Sequence, residues 1–147
     1  MRRVLVVLAV AVCAVAVVAA SGLASGKAAT VKTRHTSLGT FLVGPNGRTL
    51  YLFEKDKTTK STCYGACAAG WPPLITSGKP RAAGAARASL LGTTRRRDGK
   101  RQVTYHGHPL YYFVVDKRAG QTKGQGVNAF GAKWYVVKPS GSKIDTD

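Results

Sequence analysis

Two cysteines and two histidines are the residues of this chain that best suit redox or metal chemistry. Cys63 and Cys67 are four positions apart, and His106 and His108 flank a glycine. Two thiolates and two imidazoles would suit Zn²⁺ or copper. The cysteine spacing differs from the Cys-x-x-Cys of thioredoxin-like enzymes, and a helical turn or tight loop would bring it within disulfide distance. We therefore predict a Cys63–Cys67 disulfide, and a metal or redox site that adds the two histidines is the alternative.

The most concentrated charge is a run of basic residues around an Asp-Gly pair. Its members are Arg95, Arg96, Arg97, Lys100 and Arg101. Because Asp-Gly is typical of hairpin turns, the run predicts a hairpin with exposed cationic flanks. Such a surface favours phospholipid heads or phosphate-bearing polymers. We expect it to bind an anionic envelope polymer or phospholipid surface; the alternative is that the charge only keeps the domain soluble.

The amino-acid composition limits which partners the chain can favour and which chemistry it can perform. The chain has 23 basic and 6 acidic residues, a formal charge of +17. Removing residues 1–26 takes away Arg2 and Arg3, which leaves 21 − 6, or about +15. The few acidic residues, with no Gly-x-Ser-x-Gly elbow and no phosphate loop, predict a non-enzyme without cofactors. Nucleic acid would satisfy the charge, but an export signal argues against it and against cytoplasmic partners.

The N-terminus has the composition of that export signal. Met1-Arg2-Arg3 is followed by an almost wholly Val, Ala and Leu stretch over residues 4–20, and small residues at 24–26 predict cleavage after Gly26. Because this run of about 17 residues is near the lower limit for a bilayer span, an uncleaved anchor is the alternative. Cys13 lies in the middle of the run, which argues against a lipid-modified N-terminus. Export also favours a disulfide between the remaining two cysteines.

One phrase occurs twice, and the rest of the chain is organised around it. Residues 47–56 and 107–116 both fit Gly-x-x-Leu-Tyr-x-Phe-x-x-Asp, at an offset of 60. The shared positions are Gly47, Leu50, Tyr51, Phe53 and Asp56 in the first copy and Gly107, Leu110, Tyr111, Phe113 and Asp116 in the second. An aromatic ligand-binding shelf with a carboxylate anchor is one interpretation. We favour a buried central strand in each half, with each aspartate capping a turn.

Short apolar stretches separated by Gly, Pro, Asn and Asp turns indicate an all-β domain. We predict two pseudo-symmetric repeats of short antiparallel strands in one small sandwich or partly open barrel, because neither half could bury its aromatic faces alone. The predicted boundaries are a signal peptide at 1–26, a flexible basic lead-in at 27–37, one domain at 38–141 and a C-terminal tail at 142–147. Within the domain, repeat one spans about 38–75, the linker about 76–89 and repeat two about 90–141.

Several motifs in order resemble the secreted-repeat lipoprotein family, which is described by a Tyr-x-aromatic-x-x-Asp motif and is common in actinobacteria. Besides the repeated phrase, they are Ser61-x-Cys63-x-Gly65-x-Cys67, Trp71-Pro72-Pro73-Leu74, Arg97-Asp98-Gly99, Gln102-Val103-Thr104-Tyr105 and Gly124-Gln125-Gly126. The resemblance covers nearly all of residues 38–141. It implies two tandem repeats in an exported, envelope-associated protein, and it supplies no catalytic residues. Many members carry a lipobox, which this chain lacks.

Overall fold

Glycine-containing turns divide residues 27–146, the part of the chain that the computed structural model describes, into nine short strands. The strands are β1 (Thr30–Thr36), β2 (Gly39–Val43), β3 (Tyr51–Phe53), β4 (Arg81–Ala82), β5 (Leu91–Arg95), β6 (Arg101–Tyr105), β7 (His108–Pro109), β8 (Asn128–Ala129) and β9 (Ala132–Val136). The described residues also form one helical turn, α1 (Ala66–Gly70), and a 3₁₀ turn at Ala88–Leu90. The predicted signal peptide lies outside them, and no helix within them is long and apolar enough to cross a membrane.

The strands form three small sheets, with the orders β2-β1-β4, β3-β9-β8 and β5-β6-β7. Only β1 and β4 run parallel; every other pair within the described sheets is antiparallel. Isolated bridges outside the named strands add further pairings, among them Tyr51 with Tyr111 and Ile75 with Gln102. The prediction of an all-β fold of short antiparallel strands is confirmed, and residues 27–146 contain no closed barrel.

The hairpin that Asp-Gly predicted joins β5 and β6; a similar turn at Asn46-Gly47 follows β2, where Val43 bridges Thr49 before the chain enters β3 of another sheet. Gly47 has φ 78° and Gly99 has φ 84°, in the left-handed region that L side chains avoid. At the second turn the Gly99 N–H donates to the Arg96 carbonyl at 3.0 Å, and the Arg96 N–H donates to the Lys100 carbonyl at 2.8 Å. This three-residue loop aligns Arg95 with Arg101 across β5 and β6.

The flexible lead-in predicted for residues 27–37 is wrong, because most of it is β1. This strand pairs with β2 from Lys32 opposite Val43 to Thr36 opposite Gly39. The strand depends on ladder hydrogen bonds and on one fully buried side chain, Val31, so its polar outer face does not argue against it. The sequence did indicate this strand: the offset of 60 that relates the two phrases makes β1 the counterpart of β5 in the other repeat.

Two other segments predicted as connectors are also partly ordered. From the predicted linker, β4 pairs with β1, and the Arg81 N–H donates to the Ala29 carbonyl at 2.9 Å. From the predicted C-terminal tail, Ile144 is 5% exposed and its N–H donates to the Val136 carbonyl at 2.8 Å. Both segments therefore add backbone hydrogen bonds to the sheets instead of merely connecting or ending them.

The first central strand is buried on both faces, as its sequence predicted. Leu50 and Leu52 belong to one hydrophobic cluster, whereas Tyr51 and Phe53 belong to another. The separation follows from the strand geometry, because successive side chains point to opposite faces. The second cluster holds Tyr51, Phe53 and Tyr111, with Phe113 packed against it, so the aromatic residues shared by both phrases meet there.

Candidate functional site

The repeated phrase forms reciprocal contacts between its two copies. Tyr51 and Tyr111 exchange backbone hydrogen bonds of 2.8 and 3.0 Å. Their side chains also cross: the Tyr51 hydroxyl donates to Asp116 Oδ2 at 2.6 Å, and the Tyr111 hydroxyl donates to Asp56 Oδ2 at 2.5 Å. Each tyrosine therefore binds the aspartate of the other copy.

Both aspartates also hold the loop that follows them. Asp56 Oδ1 accepts the N–H and the hydroxyl of Thr62 at 2.8 and 2.6 Å. Asp116 Oδ1 accepts the Lys123 N–H at 2.9 Å. This is the turn-capping role that the sequence indicated, and the tyrosine of the other copy is an additional partner that the sequence did not indicate.

Four stacked rings lie between these hydrogen bonds, and they alternate between the two halves of the chain. In order they are Phe53, Trp134, Trp71 and Phe113, with successive centroids 3.9, 4.0 and 4.0 Å apart. Tyr51 meets the edge of Trp71 at 5.4 Å, and Tyr111 meets the edge of Trp134 at 5.1 Å. The tyrosines and tryptophans are at most 1% exposed. The aromatic residues are therefore core, and they do not form an open shelf for a ligand.

Burial changes the acid–base properties of these groups. It raises the pKa of Asp116, although hydrogen bonds from Tyr51 and from the Lys123 backbone lower that pKa in part. Burial also raises the pKa of Tyr51 and of Tyr111, and their aspartate partners raise it further. Both phenols therefore keep their protons, and remain hydrogen-bond donors, at neutral pH.

We expect Tyr51→Phe to destabilise the fold by about 2 kcal/mol at pH 7, because it removes a donor from a buried carboxylate. Burial already places the folded-state pKa of Asp116 above its ordinary 3.8. The stability that protonated Asp116 gives the fold is fully present below the pKa of this group in the unfolded chain. It is lost as pH rises through the pKa of the group in the folded protein. Without the tyrosine hydroxyl that folded pKa rises further, so the penalty should be smaller at pH 4 than at pH 7.

Urea unfolding at the two pH values measures this difference. Tyr112→Phe is the matched control, since Tyr112 is a half-buried phenol in the second copy of the phrase, the copy that contains Asp116, and burial raises its pKa to about 12. Its substitution should change stability equally at both pH values. An equal penalty for Tyr51→Phe at pH 4 and pH 7 would contradict the role given to Asp116.

A basic cleft of about 550 Å³ opens where the cysteine loop of the first half meets the arginine hairpin of the second. Its lining residues are Lys60, Ser61, Thr62, Tyr64, Arg95, Arg96 and Arg97. The sequence identified the three arginines but not the loop side of the cleft. Tyr64 could have indicated the loop side of the cleft from the sequence, because an aromatic residue between two cysteines is held on a short closed loop.

Arg96 forms the floor of the basic cleft. It is 4% exposed, and its guanidinium donates to Ser61 Oγ at 3.0 Å, to Gln102 Oε1 at 2.8 Å and to the Cys63 carbonyl at 2.8 Å. The Ser61 hydroxyl in turn donates to the Tyr111 hydroxyl oxygen at 2.7 Å, because the single phenolic proton of Tyr111 is already directed at Asp56. Buried polar contacts therefore tie the floor of the cleft to the reciprocal tyrosine–aspartate pair.

Tyr64 lines the cleft, and its ring contacts two guanidinium groups. Arg96 lies 4.4 Å from the ring centroid and Arg97 lies 3.7 Å from it. The Arg97 N–H also donates to the Tyr64 hydroxyl at 3.2 Å. Cation–π contact with the ring and the hydrogen bond to its hydroxyl orient the Arg97 side chain before any ligand arrives.

The predicted five-residue cationic surface needs one correction. Arg95, Arg97, Lys100 and Arg101 are exposed, but Arg96 is buried. Successive side chains of an extended strand alternate in direction, so Arg96 points inward where Arg95 points outward. Arg95 and Arg101 face each other across the hairpin, which places two cations side by side on its outer face.

Cys63 and Cys67 form a disulfide, with their α-carbons 5.3 Å apart. The alternative metal site is not formed. Both sulfur atoms are bonded to each other, and His106 and His108 lie in a separate turn with ring centroids 6.5 Å apart. Among residues 27–146, no group of three or more His, Cys, Asp and Glu side chains is placed to hold a metal ion.

A second cleft, of about 300 Å³, includes His108 and two carboxylates. Burial lowers the pKa of His108, so its ring is neutral at pH 7. Glu54 contacts Lys143 at 2.9 Å, and Asp56 is engaged by Tyr111 as described above. Because both carboxylates are already bonded within the protein, this cleft is a weaker candidate for a ligand than the basic cleft.

Comparison with known proteins identifies the repeated architecture. A protein-family model described as a secreted repeat of unknown function matches the chain twice, over residues 32–75 and 92–138. The starts of the two matches differ by 92 − 32 = 60, the offset that relates the two phrases. The first match begins within β1, in agreement with the corrected start of the first repeat. No curated protein and no solved structure matches the chain.

Proposed function

The chain belongs to the family of secreted repeats of unknown function, and from that premise we propose that it is a non-catalytic module that binds an anionic component of the cell envelope. The ligand site is the basic cleft between the cysteine loop and the arginine hairpin. The ligand class is a phosphate-bearing polymer or a phospholipid head group. Cytoplasmic partners and nucleic acid are not part of the proposal, because a secreted protein meets envelope phosphates first.

The orientation of Arg97 on Tyr64 is the observation that carries this proposal. A guanidinium presents N–H groups in a planar fork that matches phosphate oxygens. Stacking at 3.7 Å on an anchored ring reduces the conformational freedom that Arg97 would otherwise lose on binding. Lys60 and Arg95 line the same cleft, so one phosphate group would meet cations from both repeats.

The distribution of acidic residues supports an anionic ligand. Those in residues 27–146 are Glu54, Asp56, Asp98, Asp116 and Asp145. The two aspartates of the repeated phrase are buried against tyrosines, and Glu54 and Asp145 contact Lys143 at 2.9 and 3.4 Å. Asp98 accepts the Lys100 N–H at 3.0 Å within the hairpin turn. The cations of the basic cleft therefore keep most of their attraction for an external anion.

The non-catalytic part of the proposal rests on where the titratable groups point. The phenols of Tyr51 and Tyr111 and their aspartate partners form closed hydrogen bonds in the core. In the basic cleft, the side chains are donors that bind and orient an anion. General acid–base catalysis would instead require a group within hydrogen-bond reach of a substrate and with a pKa near the working pH.

We expect replacement of Lys60, Arg95 and Arg97 by glutamine to weaken binding to anionic vesicles or phosphate-bearing wall fragments about 100-fold at low salt. The estimate follows from about 1 kcal/mol for each cation near an anionic surface. Wild-type binding should weaken steeply as salt rises, and variant binding should weaken less. Co-sedimentation across a salt series measures both effects.

The matched control replaces Lys27, Arg81 and Arg87 by glutamine. These three residues are exposed, and their replacement removes the same net charge away from the cleft. Arg96 is left unchanged in every variant because its burial makes it part of the folded core. Retention of the cleft variant equal to that of the control would refute the cleft as the binding site.

A further inference from the structure

The repeat symmetry gives the basic cleft a counterpart in the other half of the molecule. The loop after Asp56 carries one side of the cleft, and the loop after Asp116 is its equivalent in the second repeat. Asp116 accepts the Lys123 N–H, as Asp56 accepts the Thr62 N–H. Gly124 N–H adds a hydrogen bond of 3.1 Å to the Tyr51 hydroxyl. The two loops are therefore held by the same type of contact.

The hairpin of the opposite repeat covers this second loop as well. Gly120 has φ 80°, and a Cβ atom built on it would lie 2.8 Å from Arg34 Cδ and 3.2 Å from Arg34 Nε. The Arg34 side chain from β1 therefore lies directly on the Gly120 backbone. In the first loop the covering contact is the hydrogen bond from the Arg96 guanidinium to the Cys63 carbonyl; it is made by a neighbouring hairpin position, since the offset of 60 relates Arg34 to Thr94.

The second loop is more basic than the first and has a fixed shape. Gln121 Oε1 accepts the N–H groups of Lys117 and Arg118 at 2.7 and 3.0 Å, and the Thr49 hydroxyl donates to the Gln121 carbonyl at 2.5 Å. The exposed cations of the loop and its covering hairpin are Arg34, Lys117, Arg118 and Lys123, which we name the second basic surface. The carboxylate within this loop region, Asp116, is fully buried.

We propose that the second basic surface is a second anion-binding site, and that the ligand is a linear polyanion with repeated phosphates that one molecule binds at two places. This proposal rests on the proposed function and specifies its ligand. A domain of this size has a radius of gyration of about 14 Å, so a flexible polymer can reach both surfaces. Simultaneous contact turns the second binding event into an intramolecular one, which raises affinity for long chains but not for single anions.

Titration calorimetry with tripolyphosphate and with long-chain polyphosphate tests the proposal on the full secreted chain. The wild type should bind two tripolyphosphates. A variant with Arg34→Gln, Lys117→Gln, Arg118→Gln and Lys123→Gln should bind one, with the affinity of the remaining site within about twofold. Its affinity for long-chain polyphosphate should fall at least about tenfold, because only one contact is left.

The control removes four positive charges elsewhere, by replacing the exposed residues Lys27, Lys79, Arg81 and Arg87 with glutamine. It should still bind two tripolyphosphates and prefer long chains as the wild type does. A single tripolyphosphate site in the wild type, or equal long-chain affinity in the control and the second-surface variant, would overturn the proposal. The proposed function has a separate test. It is refuted if tripolyphosphate still binds the basic cleft after Lys60, Arg95 and Arg97 have been replaced by glutamine.

Discussion

Dividing the chain between its two repeats is expected to leave both halves unfolded. The fragments would be residues 27–85 and 86–147, and far-UV circular dichroism with urea titration would show no cooperative transition for either fragment alone. An equimolar mixture should regain the transition, because the missing contacts are then supplied in trans. The expected effect is the loss of all folding stability, the largest change proposed for this protein.

The reason is that each repeat is completed by strands and side chains of the other. Tyr51 in β3 pairs with Val136 in β9, and Tyr111 pairs with Pro73 near the end of the first repeat. An isolated repeat would also bury an aspartate without its tyrosine donor. Chains of about 60 residues have marginal cores even when they are self-contained.

Protease cleavage at an inserted site in the same linker, made after folding, is the control. The nicked protein should unfold at nearly the urea concentration of the intact chain, since no side-chain contact is removed. A cooperative transition in either isolated fragment would show that a repeat is an independent domain, against the interlocked arrangement.

Replacement of Trp71 or Trp134 by alanine is expected to lower the free energy of unfolding by about 3 to 5 kcal/mol. Both side chains are fully buried and stacked on each other at 4.0 Å, and each also stacks on a phenylalanine of the other repeat. Each deletion therefore leaves a cavity between two rings. Because the two repeats contribute equivalently, the two substitutions should have similar effects in urea unfolding.

A double-mutant cycle separates the contact between the tryptophans from the loss of apolar volume. Stacked neighbours that share a cavity should show a coupling energy of about 0.5 to 3 kcal/mol. Phe130→Ala is the control for removing an aromatic ring, since Phe130 is 46% exposed and should change stability by less than about 0.5 kcal/mol. Strict additivity of the two tryptophan substitutions would contradict the continuous stack.

Local patterns in the sequence predicted much of the fold. Alternation along Leu50-Tyr51-Leu52-Phe53 predicted a strand buried on both faces, because side chains alternate on any extended strand. Asp98-Gly99 predicted the β5–β6 hairpin, since Gly99 meets the backbone requirement of the turn. The same rule of alternation, applied to Arg95-Arg96, would also have indicated that one of the two arginines points inward.

The exchange between repeats was not predictable in this way. The offset of 60 shows that Tyr51 corresponds to Tyr111 and that Asp56 corresponds to Asp116. It does not show whether a tyrosine bonds the aspartate of its own copy or of the other copy, because both choices satisfy the same periodicity. The strand β1 was missed for a different reason: its stability comes from backbone pairing, and its side chains are mostly polar.

The basic cleft was only half predicted for a related reason. Its arginines form a run in the sequence, but Lys60 and Tyr64 lie in the other repeat, and only the tertiary structure brings the two segments together. The Arg96 contact with the Cys63 carbonyl joins residues 33 positions apart. A search for charge clusters along the chain finds one wall of such a cleft and misses the other.

The late position of β9 and Trp134 has a consequence for export. A secreted chain that emerges from its translocation channel N-terminus first delivers Phe53 and Trp71 well before their stacking partner in β9. Until then the aromatic face of the first repeat is open to water and to neighbouring chains. The aromatic core of the first repeat can therefore be completed only once β9 is available, and a chain truncated before β9 would leave Phe53 and Trp71 without Trp134 as their stacking partner.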